Sequence, residues 1–412
     1  MPERPAAAPS AAEEMTTSNA WRTRLKAAAG YWLLLLCALF IVSAFLAPQS
    51  FAVLAAAGGL AMLGFVAPSR TRAAGFLLLS LLCAWAAGPQ LAAITSAKSV
   101  TSYDQLERLT SLKLVLMSVL FPALCLGAMC LPKAAQDRLS AMIAWGMAWV
   151  AGLIVIDAAL QGAVFNAIAT AAGSPPRPDL APVKAAQGAY PIAVLIAPVS
   201  LWIWRRGPRS AVGVLAAAPA AACLGLGADA PFAAALAAGA VFVAMTLRPG
   251  LSLKLLAAFG SLYFLAAPWL VRLVPASGEG SALPASWAHR ERIWRFVSDR
   301  ILERPLLGHG LDASRGYGDQ VPLHPHNSAL QIWLELGLPG ATLMVALCVW
   351  LVWRIGAVTD PLWRAAAGAS LTAYAVIGAL SFGVWQEWWL GLAAFAALFI
   401  VTGAPARAIP SS

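Results

Sequence analysis

Twelve apolar runs, most of them close to twenty residues long, dominate this chain and leave few architectures open to it. They lie near 27–47, 50–68, 73–94, 111–131, 139–160, 188–204, 211–228, 231–247, 255–274, 330–353, 365–383 and 388–405. A helix needs roughly 20 consecutive apolar residues to cross a bilayer. In hydrocarbon, a spanning segment satisfies its backbone N–H and C=O groups only as a helix or within a closed barrel. Of 412 residues, 60% are hydrophobic and only 11% are charged, against roughly 25% charged in a soluble domain. So little charge cannot clothe a water-facing surface, which excludes a cytosolic enzyme, a nucleic-acid binder and a disordered scaffold. The net charge of +10 does not point to nucleic acid, because the basic residues are scattered among short loops. The expected fold class is an all-α polytopic membrane protein of twelve transmembrane helices, embedded in the lipid bilayer as one domain over 27–405. Residues 1–26 read as a disordered cytoplasmic tail without the apolar stretch of a cleavable signal, and 406–412 as a second cytoplasmic tail. The cysteines Cys37, Cys83, Cys125, Cys130, Cys223 and Cys348 all fall in apolar runs and read as small core residues.

Orientation follows from the basic residues of the short loops, which favour the cytoplasmic side. An inside N-terminus puts Arg22, Arg24, Lys26, Arg70, Arg72, Lys133, Arg138, Arg205, Arg206, Arg209, Arg248, Lys254, Arg354, Arg364 and Arg407 on that side. One segment breaks the pattern: the long outside loop 275–329, between the ninth and tenth runs. It holds Arg290, Arg292, Arg295, Arg300, Arg304 and Arg315 together with all four histidines, His289, His309, His324 and His326. Two smaller outside loops also carry charge, 95–110 with Lys98, Asp104, Glu107 and Arg108, and 161–187 with Arg177, Asp179 and Lys184.

Within the long loop, Trp287, Trp294, Val297 and Ile301 recur at helical spacing, while Arg292, Arg295, Asp299 and Glu303 largely fall on other faces. The helix should end before Pro305. It reads equally as a basic amphipathic helix lying on the membrane surface and as a functional element holding guanidinium groups at headgroup depth. Next comes Pro305-Leu306-Leu307-Gly308-His309-Gly310, where two glycines allow a tight turn. His324-Pro325-His326-Asn327 leads into the tenth run. Pro325 suits the first position of that helix, which would put His326 and Asn327 in its first turn. The helix dipole there favours an anion and disfavours imidazolium, so His326 should stay neutral at pH 7 and accept a proton. Solvated surface histidines are one alternative, and a zinc site using His324 and His326 is another. No HExxH, cysteine ligand or outside carboxylate cluster supports a metal, and none is expected. Glu335 and Asp157 lie near the outer ends of apolar runs, where ionisable groups are costly. Glu335 is expected to face away from His326 and to make a structural pairing, with an arginine as one candidate partner.

At these residues the chain resembles the bacterial O-antigen ligase and polymerase superfamily, and within it the O-antigen ligases. Arg290 stands four residues before Trp294 in an R-x-x-x-W helix, and Glu303 to Gly310 looks like the family's E-x-P-L-L-G-x-G turn. His326-Asn327, followed by Leu330, Glu335 and Gly337, is similar to the family's H-N-x-x-L run and its histidine-to-glycine spacing. These motifs cover about fifty residues of the chain. The resemblance implies a GT-C-like glycosyltransferase of the inner membrane that works on the periplasmic face without metal, nucleotide or other cofactor. Its implied partners are an O-antigen glycan on undecaprenyl pyrophosphate and a sugar hydroxyl of lipid A-core. It assigns His326 and Arg290 the catalytic roles and gives the preceding outside loop a basic residue, either Lys184 or Arg177. Arg292, Arg295, Asn327, His324, His309 and Arg315 are further candidates for binding pyrophosphate or glycan, and Trp294, Glu335 and Gly337 for structural support.

The residue types suit that chemistry on their own terms. Displacing a pyrophosphate builds charge on the leaving group, which fixed guanidinium groups neutralise. A sugar hydroxyl is a poor nucleophile, and a neutral histidine in reach takes its proton. No pair of outside carboxylates is evident for a two-step retaining route, so a single inverting displacement is expected. The alternatives are an O-antigen polymerase of the same superfamily, a protein-directed oligosaccharyltransferase and a twelve-span transporter or flippase. The last should carry charged or broken segments at mid-membrane, whereas here the polar groups collect outside.

Overall fold

A computed structural model describes residues 11–66, 70–96, 109–178, 180–273 and 285–405, and every regular element among them is helical. The helices are α1 (Ala11–Leu46), α2 (Phe51–Met62), α3 (Arg70–Ser96), α4 (Thr110–Ala128), α5 (Lys133–Ala159), α6 (Ala163–Ala171), α7 (Ala181–Ala185) and α8 (Ala189–Arg206). They continue as α9 (Ser210–Leu226), α10 (Asp229–Leu247), α11 (Pro249–Leu273), α12 (Ala285–Glu303), α13 (Ser328–Gly356), α14 (Pro361–Leu380) and α15 (Glu387–Gly403). Apart from the short α6 and α7 and the loop helix α12, each coincides with one of the apolar runs. Among the described residues, nine helical stretches are long and apolar enough to cross a membrane. Helices α9 and α15 are apolar but shorter, at 17 residues each. The chain is thus an all-α, multi-pass membrane protein. Helix α1 begins at Ala11, so the stretch read as a tail is helical from there onward. Residues 1–10 and 406–412, Lys98, Asp104, Glu107, Arg108, Asp179 and the loop start at 274–284 lie outside the described residues.

Helix packing relies on close backbone approach, as expected where lipid removes the hydrophobic drive between helices. A Cβ added at Gly59 of α2 would stand 2.0 Å from the Leu120 carbonyl oxygen of α4, and one at Gly225 of α9 would stand 2.3 Å from that of Ala158 in α5. Around α1, α2 and α15 an aromatic core forms, with Phe40 stacked on Phe395 at 4.1 Å and 4.6 Å from Phe51. All six cysteines are free thiols, and Cys37, Cys83 and Cys125 are buried.

Helices α11 and α13 pack against each other, and α10 packs on α14. The loop helix α12 folds back over the end of α11 and the start of α13. Its buried stripe is Ile293, Val297 and Ile301, at spacings of one helical turn. The apolar face therefore packs on protein, and α12 is no surface-lying membrane helix along that stripe. Ser298 Oγ donates to the Pro268 carbonyl at 2.7 Å, and Arg272 pairs with Asp299. On the solvent side, Arg295 pairs with Glu291 at 2.9 Å and Arg300 with Glu303 at 2.8 Å. Helix α12 ends at Glu303, just ahead of Pro305. Asp157 of α5 is buried within the protein. Its Oδ1 accepts the Val164 and Phe165 N–H groups at 2.8 and 3.3 Å, satisfying the open N-terminus of α6.

Candidate active site

The turn after α12 is locked onto a break in α13. Pro339 has no N–H to give the Glu335 carbonyl four residues back, and Gly337 turns to a left-handed φ of +62°. The loop supplies the missing donors. Gly310 N–H reaches Glu335 O at 2.9 Å, His309 N–H reaches Leu334 O at 2.8 Å, and Trp85 Nε1–H from α3 reaches Leu336 O at 2.9 Å. In return, Leu338 N–H donates to Pro305 O at 2.9 Å. Gly308, at φ +72°, meets this break so closely that an added Cβ would lie 2.6 Å from the Glu335 carbonyl carbon. At Gly337 it would lie 2.6 Å from Leu306 O. The two glycine motifs of the sequence are therefore two sides of one contact. Gly337→Ala should destabilise the fold by roughly 2 kcal/mol or more, through backbone clash and left-handed strain. A lowered thermal unfolding midpoint in detergent checks this, and an unchanged one contradicts it.

This scaffold carries His324-Pro325-His326-Asn327. Asn327, not a residue before Pro325, is the N-cap of α13: its Oδ1 accepts from Leu330 N–H and from the Tyr263 hydroxyl, both at 3.0 Å. Asparagine outcompetes proline here because its side chain satisfies an otherwise open donor. The helix starts at Ser328, so the expectation that His326 and Asn327 lie in the first turn is corrected. His326 stands before the helix with φ +56°, a left-handed conformation that is uncommon away from glycine and concentrates at functional sites. Its N–H donates to His324 Nδ1 at 3.1 Å. His324 Nε2 faces the Gln386 side-chain amide at 3.0 Å. Both ring nitrogens of His324 are thus engaged within the protein, which leaves it no lone pair for a metal. Among the described residues, no group of three His, Cys, Asp or Glu side chains is placed to hold one. Burial, aided by His326 and Arg315, pushes the His324 pKa down to about 3, so it serves as a neutral prop for the His326 backbone.

The hydrogen bond that defines His326 goes to a backbone carbonyl: Nδ1 lies 2.7 Å from Ser381 O. A carbonyl only accepts, so Nδ1 carries the proton and Nε2 holds the free lone pair. Burial holds the ring's pKa below the ordinary histidine value. The Ser381 bond opposes that shift, and the charges of Arg290 and His289 reinforce it. Burial and the nearby Arg290 charge thus support the expected neutrality of His326.

Arg290 lies close enough to His326 to act on its charge, and one turn further along α12 Trp294 Nε1–H donates to Pro325 O at 2.8 Å. The R-x-x-x-W pattern therefore puts a cation and a tether on the face of α12 that meets the histidine segment. The Arg290 guanidinium sits over the Trp287 ring, 5.4 Å from its centroid. Arg315 reaches the His324 side of the cluster and pairs with Asp312 at 3.3 Å. Arg292 is exposed, and Arg295 is bound to Glu291. His309 spends Nε2 on the Arg300 carbonyl at 2.8 Å. Lys184 and Arg177 lie around α7, and Lys184 is on the segment that runs through a short 3-10 turn into α8.

Glu335 pairs with neutral donors, not with an arginine. Oε1 accepts from Ser314 Oγ at 2.9 Å and from Gln331 Nε2 at 3.1 Å, and Oε2 accepts from Trp385 Nε1 at 2.7 Å. Through these bonds it ties α13 to the turn between α14 and α15. Gln331 Oε1 in turn accepts from Val384 N–H at 2.9 Å. That turn is what the sequence reading missed: it supplies Ser381, Trp385 and Gln386, and Tyr263 of α11 supports Asn327. Its one visible sign is polar Gln386-Glu387 among tryptophans between two apolar runs.

Residues 185–345, which span α8 to most of α13, match the family described as O-antigen ligase. Over this segment the chain is similar to that family. A Rickettsia conorii protein provisionally named a polysaccharide ligase is 33% identical over 169 residues, or 37% of this chain and 41% of that protein. A Rickettsia bellii relative of the same provisional name is 39% identical over 119 residues, 26% of this chain and 29% of its own length. The chain thus spans well under half of the relatives it matches. No solved structure matches it. Arg290, Trp294, His326, Asn327 and Gly337 all fall within the O-antigen ligase segment, as do Lys184's neighbours in the 3-10 turn before α8.

Proposed function

We propose that this protein is an O-antigen ligase of the bacterial inner membrane. It moves a glycan from undecaprenyl pyrophosphate to a sugar hydroxyl of lipid A-core on the periplasmic face. The observation that carries the reading is a histidine with its tautomer locked by Ser381 O and its Nε2 lone pair free, beside a guanidinium. The family match and the cytoplasmic bias of the short-loop basic residues support the reaction class and the side of the membrane.

In this reading Arg290 grips the donor's pyrophosphate. The acceptor oxygen attacks the anomeric carbon while His326 Nε2 takes its proton, and the bond from that carbon to the pyrophosphate oxygen breaks. Negative charge gathers on the departing undecaprenyl pyrophosphate, where the fixed guanidinium stabilises it. The imidazolium left behind returns its proton to solvent. No metal or nucleotide takes part. The left-handed backbone and two anchors of His326 hold the base still for the step.

The lowered His326 pKa sets the pH profile. The neutral ring is the active form, so the rate should climb from acid to a plateau with its midpoint below the ordinary histidine value of about 6.5. A midpoint above that value contradicts a buried neutral base. The reading itself is tested with purified protein in liposomes, undecaprenyl-pyrophosphate glycan and lipid A-core, in the presence of EDTA. Transfer to the core supports it. Growth of the glycan on its carrier makes the protein a polymerase, and uptake or flipping without transfer makes it a transporter.

A further inference from the structure

The face that holds Arg290 and His326 also carries an acid without a part in the transfer chemistry. Asp229 is exposed at the first position of α10, after a turn through Gly227 at φ +68°. The N-cap is Ala228 and makes no side-chain cap bond. Asp229 Oδ2 accepts the Trp287 Nε1–H at 3.3 Å, and Oδ1 faces Cys223 Sγ at 3.5 Å. The guanidinium over Trp287 belongs to Arg290. Asp229 and Arg290 also both lie within electrostatic reach of the Tyr190 hydroxyl, beside Ser381. A carboxylate, an indole hydrogen-bonded to it and the pyrophosphate clamp are therefore contiguous.

We propose that Trp287 and Asp229 form a sugar subsite for the donor residue bonded directly to pyrophosphate. This rests on Arg290 holding that pyrophosphate. A pyranose presents an apolar C–H face and a rim of hydroxyl donors. The indole offers an apolar face with negative π density that suits those C–H groups. An ionised carboxylate only accepts, with about four lone-pair positions, and the two bonds to Trp287 and Cys223 leave capacity for sugar hydroxyls. One face of Trp287 carries the arginine, and the side chain is only partly buried. Arg290, stacked on the same indole, keeps the sugar's phosphate within one bond of the subsite. Asp229 thereby also selects for a first sugar with free hydroxyls along one edge.

The test measures binding of a short-chain prenyl pyrophosphate, with and without one N-acetylhexosamine, to the detergent-purified full chain. Wild-type protein should bind the glycosylated ligand about tenfold more tightly, the size of one hydrogen bond to a charged group. Asp229→Asn and Trp287→Ala should each erase most of that preference, read as the ratio of the two affinities within each variant, and Trp287→Phe, which keeps an aromatic face beneath Arg290, should keep part of it. A preference that survives in Asp229→Asn and Trp287→Ala, or is missing from wild type, overturns the subsite. So does an equal loss for both ligands, which would make the pair a mere support for Arg290. Transfer assays on the same wild-type preparation report on the enzymatic reading separately: a sugar preference without transfer strikes that reading and leaves the subsite standing.

Discussion

Replacing His326 with alanine should lower glycan transfer by at least about 100-fold, the usual lower bound for losing a general base. The protein should still enter the membrane and purify as a folded species. The ring contributes one hydrogen bond to Ser381 O, while the segment around it is fixed independently by Asn327, by Trp294 on Pro325 O and by His324. His326→Asn separates strain from chemistry, because asparagine tolerates the left-handed backbone yet cannot act as a base at neutral pH. It should be as inactive as alanine and at least as stable. Near-normal transfer in either variant would remove His326 from the reaction.

Arg290→Ala should cost about 100- to 1,000-fold in turnover, the range seen when one preorganised charge stabiliser is lost. Arg290→Lys should recover only part of this, since an ammonium keeps the charge but not the planar fork that meets two phosphate oxygens together. The two variants also differ in pH behaviour. Arg290 helps hold the His326 pKa down, so removing its charge should move the acid limb of the rate profile to higher pH. Lysine should leave that limb nearly in place. An alanine variant with wild-type turnover, or an acid limb that moves to lower pH, would separate Arg290 from the histidine.

Much of this organisation is legible in the sequence because it is local. Apolar length marks the spans, and the period of Val297 and Ile301 with Pro305 beyond marks α12. The glycines of the E-x-P-L-L-G-x-G turn and of the run after His326 mark the contact between Gly308 and Gly337. The start of α13 was misread because two local rules compete there. Proline suits a first helical position, but Asn327 two residues later satisfies an open donor with its own side chain, and the cap won. What remained hidden is non-local. The partner of His326 Nδ1 is a carbonyl 55 positions away, and a carbonyl leaves no trace in residue type. Asp229 reaches Trp287 across 58 positions, so nothing in its own short turn announces it. Glu335 drew attention as a buried acid, but its neutral donors Ser314, Gln331 and Trp385 come together only in the folded chain.

The stereochemistry of the new glycosidic bond tests the central claim most directly. With a donor of defined anomeric configuration, the product linkage is read by NMR. A neutral histidine working in a single displacement predicts inversion at the anomeric carbon. Retention would mean a covalent glycosyl intermediate, would point to a carboxylate such as Asp229 as nucleophile, and would contradict the account.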